Sequence, residues 1–429
     1  MSPIGSGIAA QLGLAEEVYI NEVQRIAGTP SAAPTFVFDG AVPGTVPIAA
    51  TNAQVQAALE ALPNIGSGGV VCTGGPLPTA IDITFSGPQV RGRNVPALVV
   101  GNGATGLTIT TPTPGSGYGD YVAPSRFLEF NDEGIELNVQ FLESQGLRAG
   151  TRVQRADRVV QFATGVNGAV NLDVLPAGLG LILKHCTGSS VITTPGGATL
   201  ARDHTYTIAD LQGLSLAIQK GVPRQTGGTG NVDAYSYVGC KIAQWSISNG
   251  VDELVKLALT IDGKDEDLTR ALGVASYPVA SQPLSFVGGV LTIDGAATDV
   301  RTVSVDVDNS LKLDRRYVRL NTLKKEPLQN ALVKIGGSME LDYDGQGRAA
   351  YDRFRAGQRS TVRVLWRGPL IEAGFFNELE VTLVSARLTG TTPKNAGPDV
   401  VMQSLPYTVD SDGTTSPITV RYRTTDTVD

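Results

Sequence analysis

The chain has 429 residues, Lys+Arg 34 against Asp+Glu 41, a formal net charge of −7 and only 17% charged residues. That length suffices for two or three domains with real cores, and the charge balance speaks against a reader of duplex DNA, which concentrates a basic stripe. Fifty-one glycines and 24 prolines point to β-rich domains with long loops.

Three cysteines, Cys72, Cys186 and Cys240, lie far apart and are odd in number, so they form neither a disulfide framework nor a zinc ligand set. The opening residues lack a positive segment followed by a long apolar run, and no stretch of about 18 apolar residues follows. The expectation is a protein made and used without secretion and without a membrane span.

In chain order, residues 1–24 form an N-terminal arm. GIAAQLGLAEEVY is a short-helix candidate weakened by Gly7 and Gly13. Residues 25–119 lose nearly all charge. Within them Thr51 or Asn52 caps a helix, AQVQAALEAL, that stops at Pro63 and aligns Val55, Ala58, Leu59 and Leu62. Strand candidates surround it, among them AIDITF with Ile81, Ile83 and Phe85 alternating. This reads as a small α+β unit, closed by the linker PTPGSGYG at 112–119. Residues 120–150 read as an extended connecting segment.

Residues 151–282 read as a first β domain. Arg152–Phe162 and Gly168–Val174 are strand candidates, and Leu179, Ile182, Leu183 and Cys186 fall at helical spacing. The clearest pattern is Tyr235–Asp262, a hairpin. Trp245 and Ile247, then Leu257 and Leu259, alternate with Gln244, Ser246, Ser248, Lys256 and Thr260. Period-2 alternation assigns the first set to a core and the second to a wetted face. Residues 283–408 repeat the order: a strand (Val303, Val305, Val307), another (VKIGGSMELDYDG), a short helix (RAAYDRFRAG), then two long strands. The repetition is one of pattern, not of residue identity, and suggests internal duplication. Residues 409–429 read as a polar, partly mobile tail.

No phosphate loop, dinucleotide fingerprint, nucleophile elbow or paired CxxC motif is present. His185 beside Cys186 is a weak thiol-catalysis candidate, because neighbours on a helix point about 100° apart; Cys186 reads as a buried core thiol. Asp262, Asp265, Glu266 and Asp267 lack the spacing of a calcium loop and read as a solvated turn. Arg315, Arg316, Arg319, Lys324 and Lys325 form the densest basic cluster. Without aromatic platforms around it, an inter-subunit salt-bridge role is the better reading. No catalytic, cofactor or metal site emerges.

Three stretches resemble the tail tube (major tail) proteins of long-tailed, siphovirus-type bacteriophages: GSGIAAQLGLAEEVYINEV, PSRFLEFNDEGIEL, and YVGCKIAQWSISNGVDELVKLALTIDGKDED. The resemblance covers roughly residues 1–24 and 120–408. TNAQVQAALEALPNIGSGGVVCTGG followed by ITFSG resembles a small domain of virion and surface proteins of actinobacteria and their phages, here inserted and placed on the tube exterior.

The resemblance implies a mainly β fold, with duplicated tail-tube-type β-sandwich or barrel domains, each with a short helix, plus the inserted α+β domain. It implies homotrimeric or homohexameric rings, stacked around a lumen that holds a tape-measure protein and later passes double-stranded DNA without specific binding. Tail terminator and distal tail proteins are the implied end partners. The implied location is the virion, assembled in the host cytoplasm. Gln244, Ser246, Ser248, Lys256 and Thr260 become candidates for lining the lumen. The competing readings are another phage structural protein (terminator, decoration or baseplate hub) and a surface adhesion or carbohydrate-binding module. The second would need exposed aromatic platforms, whereas Phe36, Phe38 and Phe85 alternate as core residues.

Overall fold

The structure is a computed structural model. It describes residues 10–429 except 88–89, 93–94, 116–118, 147–149, 151, 225–231, 279–281, 319–321, 391, 394–397 and 399. The Gly-rich loop PRQTGGTGN at 223–231 falls largely outside the described residues. The fold is mainly β. Two compact units are present: Glu17–Val122 with Gln212–Ser215, and the remainder.

In the larger unit one pairing pattern occurs twice, all antiparallel. In the first repeat Glu136–Glu143 pairs Val159–Asp173, which pairs Lys256–Gly263, which pairs Val232–Gly250. That last strand pairs Leu216–Pro223, which pairs Gln11–Glu16. In the second, Thr302–Asp308 pairs Lys334–Asp342, then Met402–Val409, then Phe375–Leu388. Arg359–Glu372 and Gly289–Ile293 follow. Corresponding strands come in the same chain order. A helix, Gly180–Thr187 or Gly345–Ala356, falls at the same place in each.

One ladder fuses the repeats into a continuous sheet. The outer half of the 19-residue strand Val232–Gly250 pairs Thr302–Asp308 over Gln244↔Asp308 to Gly250↔Thr302. Its inner half uses the same edge for Leu216–Pro223. The strand therefore passes from one sheet into the other, and a bulge between Ile242 and Gln244 marks the passage. The outcome is a seven-stranded sheet running from Glu136–Glu143 to Met402–Val409. One apolar core joins both repeats, with Trp245, Trp366, Tyr206, Tyr407 and Tyr422 among its largest buried side chains.

The helix Gly180–Thr187 ends at Gly188, whose φ of 97° is a left-handed conformation that suits glycine. The carbonyl of Cys186, in the last turn, lacks an intrahelical partner. It accepts from Trp245 Nε1 at 3.0 Å and Asn309 Nδ2 at 3.1 Å.

Three expectations about the larger unit change. The N-terminal helix candidate is a strand, Gln11–Glu16, with Leu12 and Leu14 buried. A Cβ on Gly13 would lie 2.7 Å from Pro124, so close strand packing uses the glycine that would weaken a helix. The polar tail contains a strand, Ile418–Thr424, because Ile418, Val420 and Tyr422 alternate inward; it pairs Arg202–Thr207 on one edge and Glu378–Leu383 on the other. The two strands expected in 152–174 are one, Val159–Asp173.

The smaller unit packs the helix Asn52–Glu60 with a four-stranded sheet ordered Val70–Gly74, Ile81–Phe85, Val23–Gly28, Leu107–Thr113. Thr51 is the cap: its hydroxyl accepts from Gln54 N, and Gln54 Oε1 accepts from Thr51 N at 3.0 Å, a reciprocal capping box. Val55 and Leu59 are buried with Ile26, Ile81, Ile83 and Phe85. Val23–Gly28 belongs to this sheet, so the unit begins before the residue 25 boundary read from composition.

Candidate functional site: a polar sheet face with open edges

The seven-stranded sheet has one apolar and one polar face. Trp245, Ile247, Leu257 and Leu259 are buried on the first. Gln244, Lys256 and Thr260 are exposed, and Ser246 and Ser248 half-buried, on the second. Ladder register extends that face across both repeats. Gln244 stands opposite Thr260 on one side and Asp308 on the other, and Ser246 opposite Ala258 and Asp306. Ser304 pairs Ser338, and Asp308 pairs Lys334. A shallow depression on this face is lined by Ala169, Asn171, Gln244, Thr260, Asp306 and Lys334, among others. Burial pushes the Asp306 carboxyl above its usual range, and the Ser304 hydroxyl, donating at 3.2 Å, opposes that rise.

Sequence reasoning named candidate residues from one hairpin of this face only; it read the strands of the second repeat but not that they continue the same sheet through the Val232–Gly250 ladder. Their signal was present in the alternation of Thr302, Ser304, Asp306 and Asp308 with Val303, Val305 and Val307.

The two ends of the sheet are open. Glu136–Glu143 is paired along one edge by Val159–Asp173, and among the described residues no strand covers its other edge. Val139, Phe141 and Leu142 are exposed there, as are Val160 and Phe162 on the adjoining strand. At the other end, among the described residues, Phe375–Leu388 covers Met402–Val409 at residues 407–409 only.

The basic cluster is largely engaged within the chain. Lys324 is buried, with Nζ 2.5 Å from Asp262 Oδ1. Arg316 donates to the carbonyls of Thr322 and Thr164, and Arg315 to that of Glu326. Lys325 lies over the Tyr317 ring; Arg319 falls outside the described residues. Asp262 is thus covered, not part of a solvated turn, and Asp265–Asp267 pairs Ser236–Val238. His185 and Cys186 are both buried, and burial pushes the Cys186 thiol far above its usual range, away from the reactive thiolate form.

The sequence profile of the phage tail tube protein family matches residues 10–409, which include both repeats. The chain belongs to the phage tail tube protein family. Tail tube proteins are structural components of the phage virion that assemble with themselves and with other tail proteins. No curated protein matches this tail tube protein in sequence.

Proposed function

We propose that this tail tube protein forms rings that stack into the tube of a siphovirus-type phage, whose channel delivers the genome. The observation that carries the reading is the two-repeat antiparallel sheet with one polar face and an end strand, Glu136–Glu143, whose outer edge no strand covers among the described residues. Exposed edges invite further pairing. The fused junction inside the chain, Val232–Gly250 against Thr302–Asp308, is the pattern by which one repeat joins another, and a neighbouring chain supplies the next. Two repeats per chain make a trimer the equivalent of a six-repeat ring. Rings contacting head to tail do not close and so continue as a filament.

The polar face lines the channel, with Gln244, Ser246, Ser248, Lys256 and Thr260 facing the lumen. Asp306, Asp308, Glu340 and Asp342 outnumber Lys256 and Lys334 on the strands concerned. Phosphate affinity comes from positive charge, so a mildly acidic lining lets DNA pass without holding it. A tape-measure protein occupies the lumen during assembly in the host cytoplasm, and terminator and distal tail proteins cap the ends. The smaller unit is an insertion. In the second repeat Gly289–Ile293 and Thr302–Asp308 are joined by residues 294–301, whereas the matching strands of the first, Gln11–Glu16 and Glu136–Glu143, have Glu17–Val122 between them.

Electron microscopy of the purified protein at rising concentration tests the reading. Tubes with an axial channel are expected. Discrete single rings would favour a terminator, and a persistent monomer would overturn assembly through open edges.

A further inference from the structure

The strand Ile418–Thr424 joins the two repeats of the larger unit in a second place. It pairs Arg202–Thr207 of the first and Glu378–Leu383 of the second. Arg421 and Arg423 reinforce both contacts. Arg423 reaches Asp203 at 2.7 Å, and Arg421 reaches Glu380 at 2.5 Å and Glu378 at 3.0 Å.

Beyond the strand, the chain folds over His204, which is fully buried. His204 Nε2 lies 2.8 Å from the backbone carbonyl oxygen of Asp426, and Nδ1 lies 3.1 Å from Asp429 Oδ1. A carbonyl oxygen can only accept, and an ionised carboxylate can only accept. Asp429 Oδ1 also receives the hydroxyls of Tyr206 at 3.0 Å and Ser190 at 2.9 Å. Both ring nitrogens must therefore donate, which only the imidazolium can do.

We propose that His204 is a buried imidazolium that locks the segment Ile418–Asp429 onto the fold, making that segment a proton-controlled strap across the two repeats. The proposal does not rest on tube formation.

The surroundings support it. Burial opposes the charge on His204. The bonds to Asp429 and to the Asp426 carbonyl outweigh burial, so the pKa lies above the usual histidine value. Asp429 is held below the usual carboxylate range: burial opposes this, and His204, Ser190 and Tyr206 overcome it. The titratable groups facing the ring are Asp429 and Asp426 from the strap, Tyr206 from its own strand, and Tyr422 from Ile418–Thr424, whose ring centre is 6.4 Å away. Arg126 adds a bond from Nη2 to the main-chain oxygen of Asp429 at 2.9 Å. A group whose folded pKa is raised contributes stability that is complete below its unfolded pKa, about 6.5. That contribution fades as pH rises through the folded pKa. Neutral His204 donates from one nitrogen only, and one acceptor of the strap is left facing a lone pair.

The test uses the full chain, diluted until monomeric and labelled with ¹⁵N-histidine; His185 and His204 are its two histidines. At pH 6, both ring nitrogens of His204 should show imidazolium shifts. Hydrogen-exchange protection of residues 418–424 should fall by up to about tenfold per pH unit between the unfolded pKa, about 6.5, and the raised folded pKa, above which neutral His204 sets a constant level. In His204→Gln, protection should be low and independent of His titration. Should that variant not fold, Asp429→Asn keeps the ring and removes its carboxylate, and the transition should move to lower pH. A neutral tautomer at pH 6 would overturn the proposal. So would wild-type protection in His204→Gln, or an unmoved transition in Asp429→Asn.

Discussion

Lys324 and Asp262, 62 residues apart in the chain, meet at 2.5 Å with both side chains buried. Asp262 is the ladder partner of Lys241, and Lys241 meets Glu326 at 2.7 Å, also buried. Alternate residues of one connecting segment thus place a cation and an anion on a single rung of the long hairpin. The segment comes from the second repeat and the rung from the first, so the two pairs fix how the repeats register. Burial raises the Asp262 pKa, and Lys324 opposes that rise.

Removing one partner of a buried pair leaves an uncompensated charge. Lys324→Met should therefore destabilise the chain by about 3–5 kcal/mol, read from denaturant midpoints at neutral pH. Asp262 can escape the penalty by taking a proton. The difference from wild type should then shrink as pH falls, because a carboxyl with a raised folded pKa favours the native state more when protonated. Pairing Lys324→Met with Asp262→Leu should recover most of the loss. A Lys324→Met penalty below about 1 kcal/mol, the range of an exposed pair, would contradict the buried clamp.

Trp245 and Asn309 share one acceptor, the Cys186 carbonyl at the end of the first helix. Trp245→Phe or Asn309→Ala alone leaves that carbonyl with one donor. The double variant leaves it with neither, and an orphaned buried carbonyl costs about 1–3 kcal/mol. The double-mutant cycle should show a combined loss greater than the sum of the single losses. Additive losses would mean the two donors act independently.

These two relationships show what was legible in the sequence. Local alternation revealed the hairpin and its inward Trp245, and helical spacing revealed the turn carrying Cys186. The contacts that join the repeats lie far apart in the chain and leave no periodic trace. Lys324 and Lys325 read as one exposed cluster, although only the first is turned inward, onto Asp262. Ile418–Thr424 was hidden by composition: Thr and Arg dominate it, and its strand signal is the alternation of Ile418, Val420 and Tyr422 alone. Gln11–Glu16 was ambiguous because a short apolar run with glycine fits either a weak helix or a closely packed strand.

The exposed edge Glu136–Glu143 should matter for assembly and little for folding. Val139→Lys with Phe141→Lys puts charge on an edge, a known way to discourage further pairing. Because both side chains are exposed, thermal stability of the monomer should stay within about 0.5 kcal/mol per substitution. Tube formation, followed by light scattering, should be lost. Unimpaired assembly would remove this edge from the subunit interface.

Replacing residues 17–122 by a short Gly/Ser linker should leave the larger unit folded, since the matching strands of the second repeat are joined by residues 294–301 alone. Circular dichroism should keep its β signature with cooperative unfolding, and tubes should still form. Loss of folding on excision would sink the insertion reading.

The central claim is that two repeats in each chain build the wall of a channel with the polar sheet face inward. A cryo-electron-microscopy reconstruction of the self-assembled tube tests it most directly. The account predicts three chains per ring, six sheet repeats around the axis, Glu136–Glu143 paired with a neighbouring chain, and Gln244, Ser246 and Thr260 facing the lumen. Six chains per ring, or a lumen lined by other strands, would contradict it.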